Sequence, residues 1–456
     1  MCPADRSAPA RTPPRARGVP GLGLLRELRA DPLGLVTRLR RDYGPVVRFE
    51  LGVRPCTLVA DPEAVKESLV DHVRHYDKHT VAYEQLRLVL GDGLLISEGD
   101  MWLRQRRIAQ PAFHRARIAA FGAQMVTTTD ALVRGWEARR GEVIALDDAM
   151  MRLTLRIVGK ALLDTDVASD ADVVGEAVTI AAAYVDDRLT RLFPPPPRWP
   201  TPANLRFRRA VAQLDQIVQG IVQERRQTAE DRGDLLSLFM ATVDPQTGER
   251  MSDRQLRDEV MTMFLAGHET TANALMWTFV LLSSHPDVRE RARAEVLAAV
   301  GPRLPTVEDL PRLGYVRRVF DEAMRLYPPA WMWSRRALQD DTLGGWAIPK
   351  GSWIFVPPWV LHRDARYWPN PEGFDPDRFL PEHEATRPRY AYAPFGGGPR
   401  QCIGNGFATM EGTLVLATIL PRVQLDLVPG QTIAPTPRVT LRPSTSVAMR
   451  VSPPPA

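Results

Sequence analysis

The stretch FGGGPRQCIG, Phe395 to Gly404, sets one cysteine, Cys402, among four glycines, with Arg400 two residues before it and Phe395 seven before it. An apolar helix is predicted just after it, from about Asn405 to Leu420. A cysteine there lies at the positive end of the helix dipole, where backbone N–H groups also favour thiolate. The glycines leave the backbone bare, so a bulky flat group can lie against it. Arg400 is a fixed cation suited to a carboxylate. Phe395 is placed to shield the sulfur from water. Three chemistries fit these residues. The thiol is incidental in a flexible loop; or it is a nucleophile, which needs a His base; or it is the axial thiolate of a haem iron, with Arg400 on a propionate.

A second group interrupts an otherwise apolar helix. AGHETT, Ala266 to Thr271, is a poor choice for a buried helix centre. Threonine can hydrogen-bond its own helix backbone and bend it, and local widenings of this kind are common at functional sites. Ala266, Gly267 and Thr270 share one face. Small residues beside a hydroxyl leave room for a small ligand, while plain helix packing is the competing reading. In FDEAMRLYPP, Glu322 and Arg325 fall at i,i+3, which for a surface pair is worth only about 0–1 kcal/mol. In GDMWLRQRRIAQPAFH, Trp102 and Arg106 lie on a basic amphipathic stretch, on which Arg104 and Arg107 read as water-facing.

The spacing Phe395, Gly398, Arg400, Cys402, Gly404 resembles the F-x-x-G-x-R-x-C-x-G signature of cytochrome P-450 monooxygenases at every specified position. AGHETT, the E-x-x-R pair with the later PDRF, and W-x-x-x-R are similar to three further motifs of that family, in its order, over roughly residues 100 to 410. The resemblance implies a mainly α fold with a smaller β portion, the P-450 fold. It makes Cys402 the axial ligand of the iron of haem b (iron protoporphyrin IX). It places Thr270 where a threonine steadies bound dioxygen and Glu269 where an acid passes protons, so O2 and electrons are the expected co-reactants. It puts Trp102 and Arg106 on the haem propionates, with Arg336 a third candidate beside Arg335. It joins Arg378 to Glu322 and Arg325 in a buried structural cluster that holds residues 330–400.

These groups need elements to carry them. SDRQ reads as a capping box, Ser252 with Gln255, opening a helix from Asp253 to Ser284 that HPD stops. Its middle is apolar nearly all round, so it should cross the core. VVRFEL and CTLVA, with Gly52 to Pro55 between them, read as a β-hairpin that buries Cys56. WAIPKGSWIFVP, VQLDLV, VTLRP and SVAMRV read as short strands. The expected organisation is a disordered or extended lead-in over 1–20, then one domain over 21–456. Its β-rich part would come from 40–62, 340–357 and 423–452, and its helical part from about 62–330 and 400–420. HVRHYDKH offers His72, His75 and His79 at i, i+3 and i+7 of a helix, but no fourth ligand is apparent, which argues against a metal there.

The chain has 456 residues, a net charge of +5 and three cysteines, Cys2, Cys56 and Cys402. Sparse, odd-numbered cysteines argue for a reducing compartment. Neither a signal-peptide h-region nor an apolar run of spanning length is evident, so a cytoplasmic monomer with no membrane span is expected. The mild basicity, carried by arginine, suits an acidic protein partner better than nucleic acid. By resemblance, that partner is an acidic ferredoxin with a ferredoxin reductase passing NAD(P)H electrons, since no flavin or ferredoxin domain follows residue 456. Thr262, Leu265 and Ala266 should face the distal side, with Ala330 and Trp331 opposite, lining a pocket for a small apolar molecule. Residues 80–95 and the proline-rich 191–202 are the expected lid. The expected reaction is hydroxylation or further oxidation in bacterial secondary metabolism, of a terpenoid, polyketide or fatty acid. The alternatives are coupling, cyclisation or desaturation on the same fold, and non-catalytic haem or lipid binding.

Overall fold

The computed structural model describes residues 10–163, 171–191, 193–228 and 232–455. The strands are β1 (Val46–Leu51), β2 (Arg54–Val59), β3 (Tyr76–Asp77), β4 (Val143–Ala145), β5 (Trp333–Ala337), β6 (Asp341–Leu343), β7 (Trp346–Ile348), β8 (Trp353–Val356), β9 (Gln424–Leu427), β10 (Pro435–Pro437), β11 (Leu441–Pro443) and β12 (Ala448–Ser452). The helices that matter below are α1 (Gly99–Ala109), α2 (Leu146–Leu163), α3 (Asp253–Ser284), α4 (Gly314–Leu326) and α5 (Asn405–Ile419). The chain divides into two compact units. One holds residues 1–83, 330–373 and 381–402, the other 84–329, 374–380 and 403–456.

The first unit is built on a five-stranded sheet of order β1-β2-β8-β5-β3. β1 and β2 pair antiparallel, with Phe49 opposite Cys56, and β2 runs parallel to β8. The turn is Gly52–Val53, shorter than the sequence suggests, with Gly52 at a φ of 63°. Cys56 is fully buried, and that burial pushes its thiol up to about 12. Of the lead-in, residues 1–9 lie outside the described residues. Residues 10–20 run alongside the sheet, bridging Arg11 to Trp346 and Arg15 to Arg48, and they bury Ala16.

The second unit is a helical body around α3. Ser252 Oγ accepts from Gln255 N at 3.3 Å and Gln255 Oε1 accepts from Ser252 N at 3.0 Å, so the capping box forms and α3 starts where the sequence predicts. α2, α4 and α5 pack on it. Trp277 of α3 stacks on Tyr327 at 4.0 Å and donates to the Leu441 carbonyl at 3.2 Å. The strands from the two ends of the chain do not share a sheet. β12 pairs with both β4 and β9, inside the helical unit. No helix among the described residues is long and apolar enough to cross a membrane.

Candidate active site

In the first unit, the cysteine loop is a tight fold of backbone. Gly396 and Gly398 have φ of 68° and 63°, where a side chain is strained. A Cβ on Gly398 would stand 2.0 Å from the Leu69 carbonyl oxygen, so glycine is required there by space as well as by φ. The Cys402 N–H donates to the Phe395 carbonyl at 3.0 Å and closes the loop. Just upstream, the buried His362 accepts from Ala393 N through Nε2 at 3.0 Å, and the buried Trp368 donates to Ala391 O at 3.3 Å. The Cys402 side chain is exposed and Arg400 is half-buried.

The other residues of this unit divide. Arg336 is engaged by Asp77, with Nε 3.1 Å from Oδ1 and Nη2 2.5 Å from Oδ2. Arg335 donates to the Tyr83 hydroxyl at 2.9 Å. Trp331 is buried and Ala330 half-buried. His72, His75 and His79 do not lie on one helix. Residues 67–71 form a wide turn, 73–75 a tight one, and 76–77 are strand β3. His79 bonds Asp77, whereas His72 and His75 meet at Asp341.

In the second unit, α3 runs unbroken through Ala266–Thr271, so the expected local widening is absent. Thr270 Oγ1 instead donates to the Ala266 carbonyl at 2.5 Å. Gly267 serves packing: an added Cβ would stand 3.1 Å from Val158 of α2. Thr154, also on α2, donates to the His268 carbonyl at 2.9 Å. His268 is buried, and burial lowers its pKa to about 4, so it stays neutral. The residues before and after this point of α3 are almost all buried, yet Ala266 is exposed and Leu265 and Thr270 are half-buried. A core helix uncovered at its middle leaves a surface for a ligand to cover. Thr262 is not part of that surface. It is buried, bonds the Asp258 carbonyl at 2.7 Å, and would touch any Cβ placed on Gly93.

Glu269 faces away from this opening and is buried. Its Oε1 accepts from Arg442 Nε at 2.7 Å and from the Thr440 hydroxyl, both near β11. Burial opposes its charge, but the bond and charge of Arg442 outweigh it and hold Glu269 below the usual carboxylate range. Asn273 donates to Thr440 Oγ1 at 3.0 Å and orients that hydroxyl. Thr440 and Arg442 escape sequence reading because they lie more than 170 residues along the chain, in a stretch legible only as a strand.

Glu322 and Arg325 of α4 form a fully buried pair, Nε to Oε2 at 2.6 Å and Nη2 to Oε1 at 2.7 Å. Arg378 Nε lies 3.3 Å from Oε1, and Asp375 N donates to that oxygen at 3.0 Å. The three predicted residues therefore meet around one carboxylate. Trp102 and Arg106 are half-buried on α1. Arg104 and Arg107 are not water-facing. Arg107 makes a two-point pair with the buried Asp244, at 3.0 and 2.8 Å, and Arg104 meets Glu249 at 3.1 Å. Of the expected lid, Val81–Leu90 is helical. The proline loop is tied down by Arg188, which donates to Pro195 O at 2.6 Å; residue 192 lies outside the described residues.

The family model for cytochrome P450 matches residues 13–449. Cyclooctatin synthase of Streptomyces melanosporofaciens is 40% identical over 93% of this chain and 92% of its own. Cyclooctat-9-en-7-ol 5-monooxygenase of the same organism is 38% identical over 95% and 94%. Pentalenene oxygenase of Streptomyces avermitilis is 33% identical over 93% of each chain. A crystal structure of the cytochrome P450DA heme domain superposes with a TM-score of 0.89 at 31% identity, over 98% of this chain and 99% of that one. A thiol presented by a glycine loop, a core helix opened beside a threonine, and a match over nearly the whole length lead to one conclusion: the chain belongs to the cytochrome P450 family, the haem-thiolate monooxygenases.

Proposed function

We propose that this monooxygenase oxidises a small apolar terpenoid, drawing NAD(P)H electrons through a separate ferredoxin and its reductase. The observation that carries the substrate class is near full-length similarity to enzymes whose names specify cyclooctat-9-en-7-ol and pentalenene. An opening on α3 lined by Leu265 and Ala266 is apolar, which suits such a molecule. Ala330 and Trp331 of the first unit are proposed as further substrate contacts. Secondary metabolism is its setting. Neither Cys56 nor Cys402 forms a disulfide, which supports a reducing, cytoplasmic compartment.

The residues present fit a haem. Cys402 of the first unit offers an exposed thiol on a glycine loop, and α3 of the second carries an uncovered surface where a core helix should have none. When bound, the haem supplies O2 activation, with a thiolate ligand that favours O–O cleavage. Cys402 would be that ligand, with Phe395, Gly398 and Gly404 shaping the loop. Trp102, Arg106 and Arg400 would meet the propionates. Arg336 would do so while sharing its guanidinium with Asp77.

Thr270 keeps its hydroxyl on the open face by spending its proton on Ala266 O, and it can turn that proton outward without moving the backbone. Glu269 holds its charge at Oε1 against Arg442 and Thr440. Delivering a proton to Thr270 Oγ1 therefore requires the carboxylate first to leave Arg442 and take up a proton. Arg442 is partly exposed but its guanidinium stays protonated, so the proton comes from water that the freed carboxylate meets and not through Arg442.

The test is turnover with a ferredoxin and reductase pair, labelled O2 and a panel of polycyclic terpenes, their alcohols, and fatty acids. One labelled oxygen in a terpene product supports the proposal. Unlabelled product indicates coupling or desaturation, and labelled fatty acid alone would overturn the substrate class.

A further inference from the structure

His72, His75 and Asp341 form a second chemical group, in the first unit, that the oxygen chemistry does not use. The tight turn Val73–His75 sets the two imidazoles side by side, with ring centroids 5.1 Å apart. Asp341 opens the β6–β7 hairpin and points its carboxylate at both rings. His72 Nδ1 lies 3.0 Å from Oδ1 and 3.1 Å from Oδ2, and His75 Nδ1 lies 3.3 Å from Oδ2. The three ligand atoms lie within 4.8 Å of one another. With ligands about 2.0–2.1 Å from a zinc ion, neighbouring donors are about 3.0 Å apart at a right angle and about 3.3 Å apart at the tetrahedral angle. The observed separations fall on those edges.

The surroundings favour a bound cation over a simple hydrogen-bonded cluster. His75 Nδ1 is shielded from solvent and makes no hydrogen bond among the described residues, although it faces the carboxylate. Asp341 is oriented by its neighbours as metal-bound carboxylates are: the Tyr76 hydroxyl donates to Oδ2 at 2.8 Å and Thr342 N donates to Oδ1 at 2.8 Å. The hairpin is fixed independently, since Gly344 N donates to Glu67 Oε2 at 2.6 Å. Each ligand is half-buried, so an ion has a path in and water can complete the shell. Two imidazoles and one carboxylate are a donor set for zinc and not for calcium or magnesium.

We propose that His72 Nδ1, His75 Nδ1 and the Asp341 carboxylate bind one zinc ion, with water at the fourth position. The ion clips the turn before β3 to the β6–β7 hairpin, joining residues 269 and 266 positions apart (341 − 72 and 341 − 75). It adds a metal centre to the chain that is separate from the haem iron.

The experiment uses untagged, full-length, haem-loaded protein, stripped with chelator and titrated with zinc chloride by calorimetry. Metal content is then read against haem iron by mass spectrometry. One zinc per haem iron is expected in the wild type, with a melting temperature that rises on zinc addition. His72→Ala and His75→Gln should each weaken binding at least tenfold and lose the zinc-dependent rise in melting temperature. His79→Ala should bind as the wild type does. Variants are compared only where their reduced CO spectrum matches the wild type, so that misfolding is not read as lost binding. Absence of a stoichiometric site in the wild type, or unchanged affinity in both His72→Ala and His75→Gln, overturns the proposal and leaves a hydrogen-bonded cluster.

Discussion

Glu269 and Glu259 are both buried carboxyls on α3, and their neighbours drive them in opposite directions. Arg442 holds Glu269 ionised, so that pair stabilises the fold above the usual carboxylate range and the contribution is lost as pH falls through the lowered value. Arg442→Gln would strand a buried charge, a loss of about 3 kcal/mol at neutral pH by analogy with broken buried pairs. The loss should shrink as pH falls, because Glu269 can then take up a proton. Urea unfolding at two pH values reads this, and a loss independent of pH would contradict it. Glu259 has no such cation. Its Oε2 accepts from Leu94 N at 3.0 Å, its Oε1 has no partner among the described residues, and burial raises its pKa to about 8. Here the folded value lies above the unfolded one. Stability therefore falls as pH rises from about the usual carboxylate value of 4.3 towards 8. Glu259→Gln keeps the acceptor and removes the titration. It should match the wild type near pH 5 and exceed it in stability near pH 9, by unfolding free energy; equal differences at both would refute the assignment.

The elements follow from local chemistry more closely than their contacts do. A capping box at Ser252 and a His-Pro stop set both ends of α3, and glycines at required φ values set the cysteine loop. Partners of buried charges are another matter. Asp244 for Arg107, Arg442 for Glu269 and Asp341 for His72 come from distant chain segments, and no spacing in the sequence records them. The apparent helical period of His72, His75 and His79 misleads for the same reason. The chain passes through three conformations within eleven residues, from 67 to 77. Glu322 with Arg325 is the case where local spacing and tertiary burial agree. Arg325→Met leaves Glu322 buried with a single remaining cation. A cost of about 3–5 kcal/mol is expected, seen as a lower melting temperature and a reduced haem-loaded fraction. Haem loading and melting as in the wild type would show that the cluster does not hold the site.

Taken as a whole molecule, the chain places chemistry in both units. The first presents Cys402 and the histidine pair, and the second presents Thr270, Glu269 and the propionate candidates Trp102 and Arg106. Arg104 and Arg107 are paired with acids, so the basic character of α1 is weaker than its sequence implies. An acidic ferredoxin would be recognised by other arginines. The central claim is that Cys402 ligates haem iron as a thiolate, and the spectrum of the reduced, CO-bound protein tests it most directly, with Cys402→Ser alongside. A thiolate-type Soret band in the wild type that is lost in Cys402→Ser is the predicted result. An imidazole-type band in the wild type, or the same band in both proteins, would contradict it.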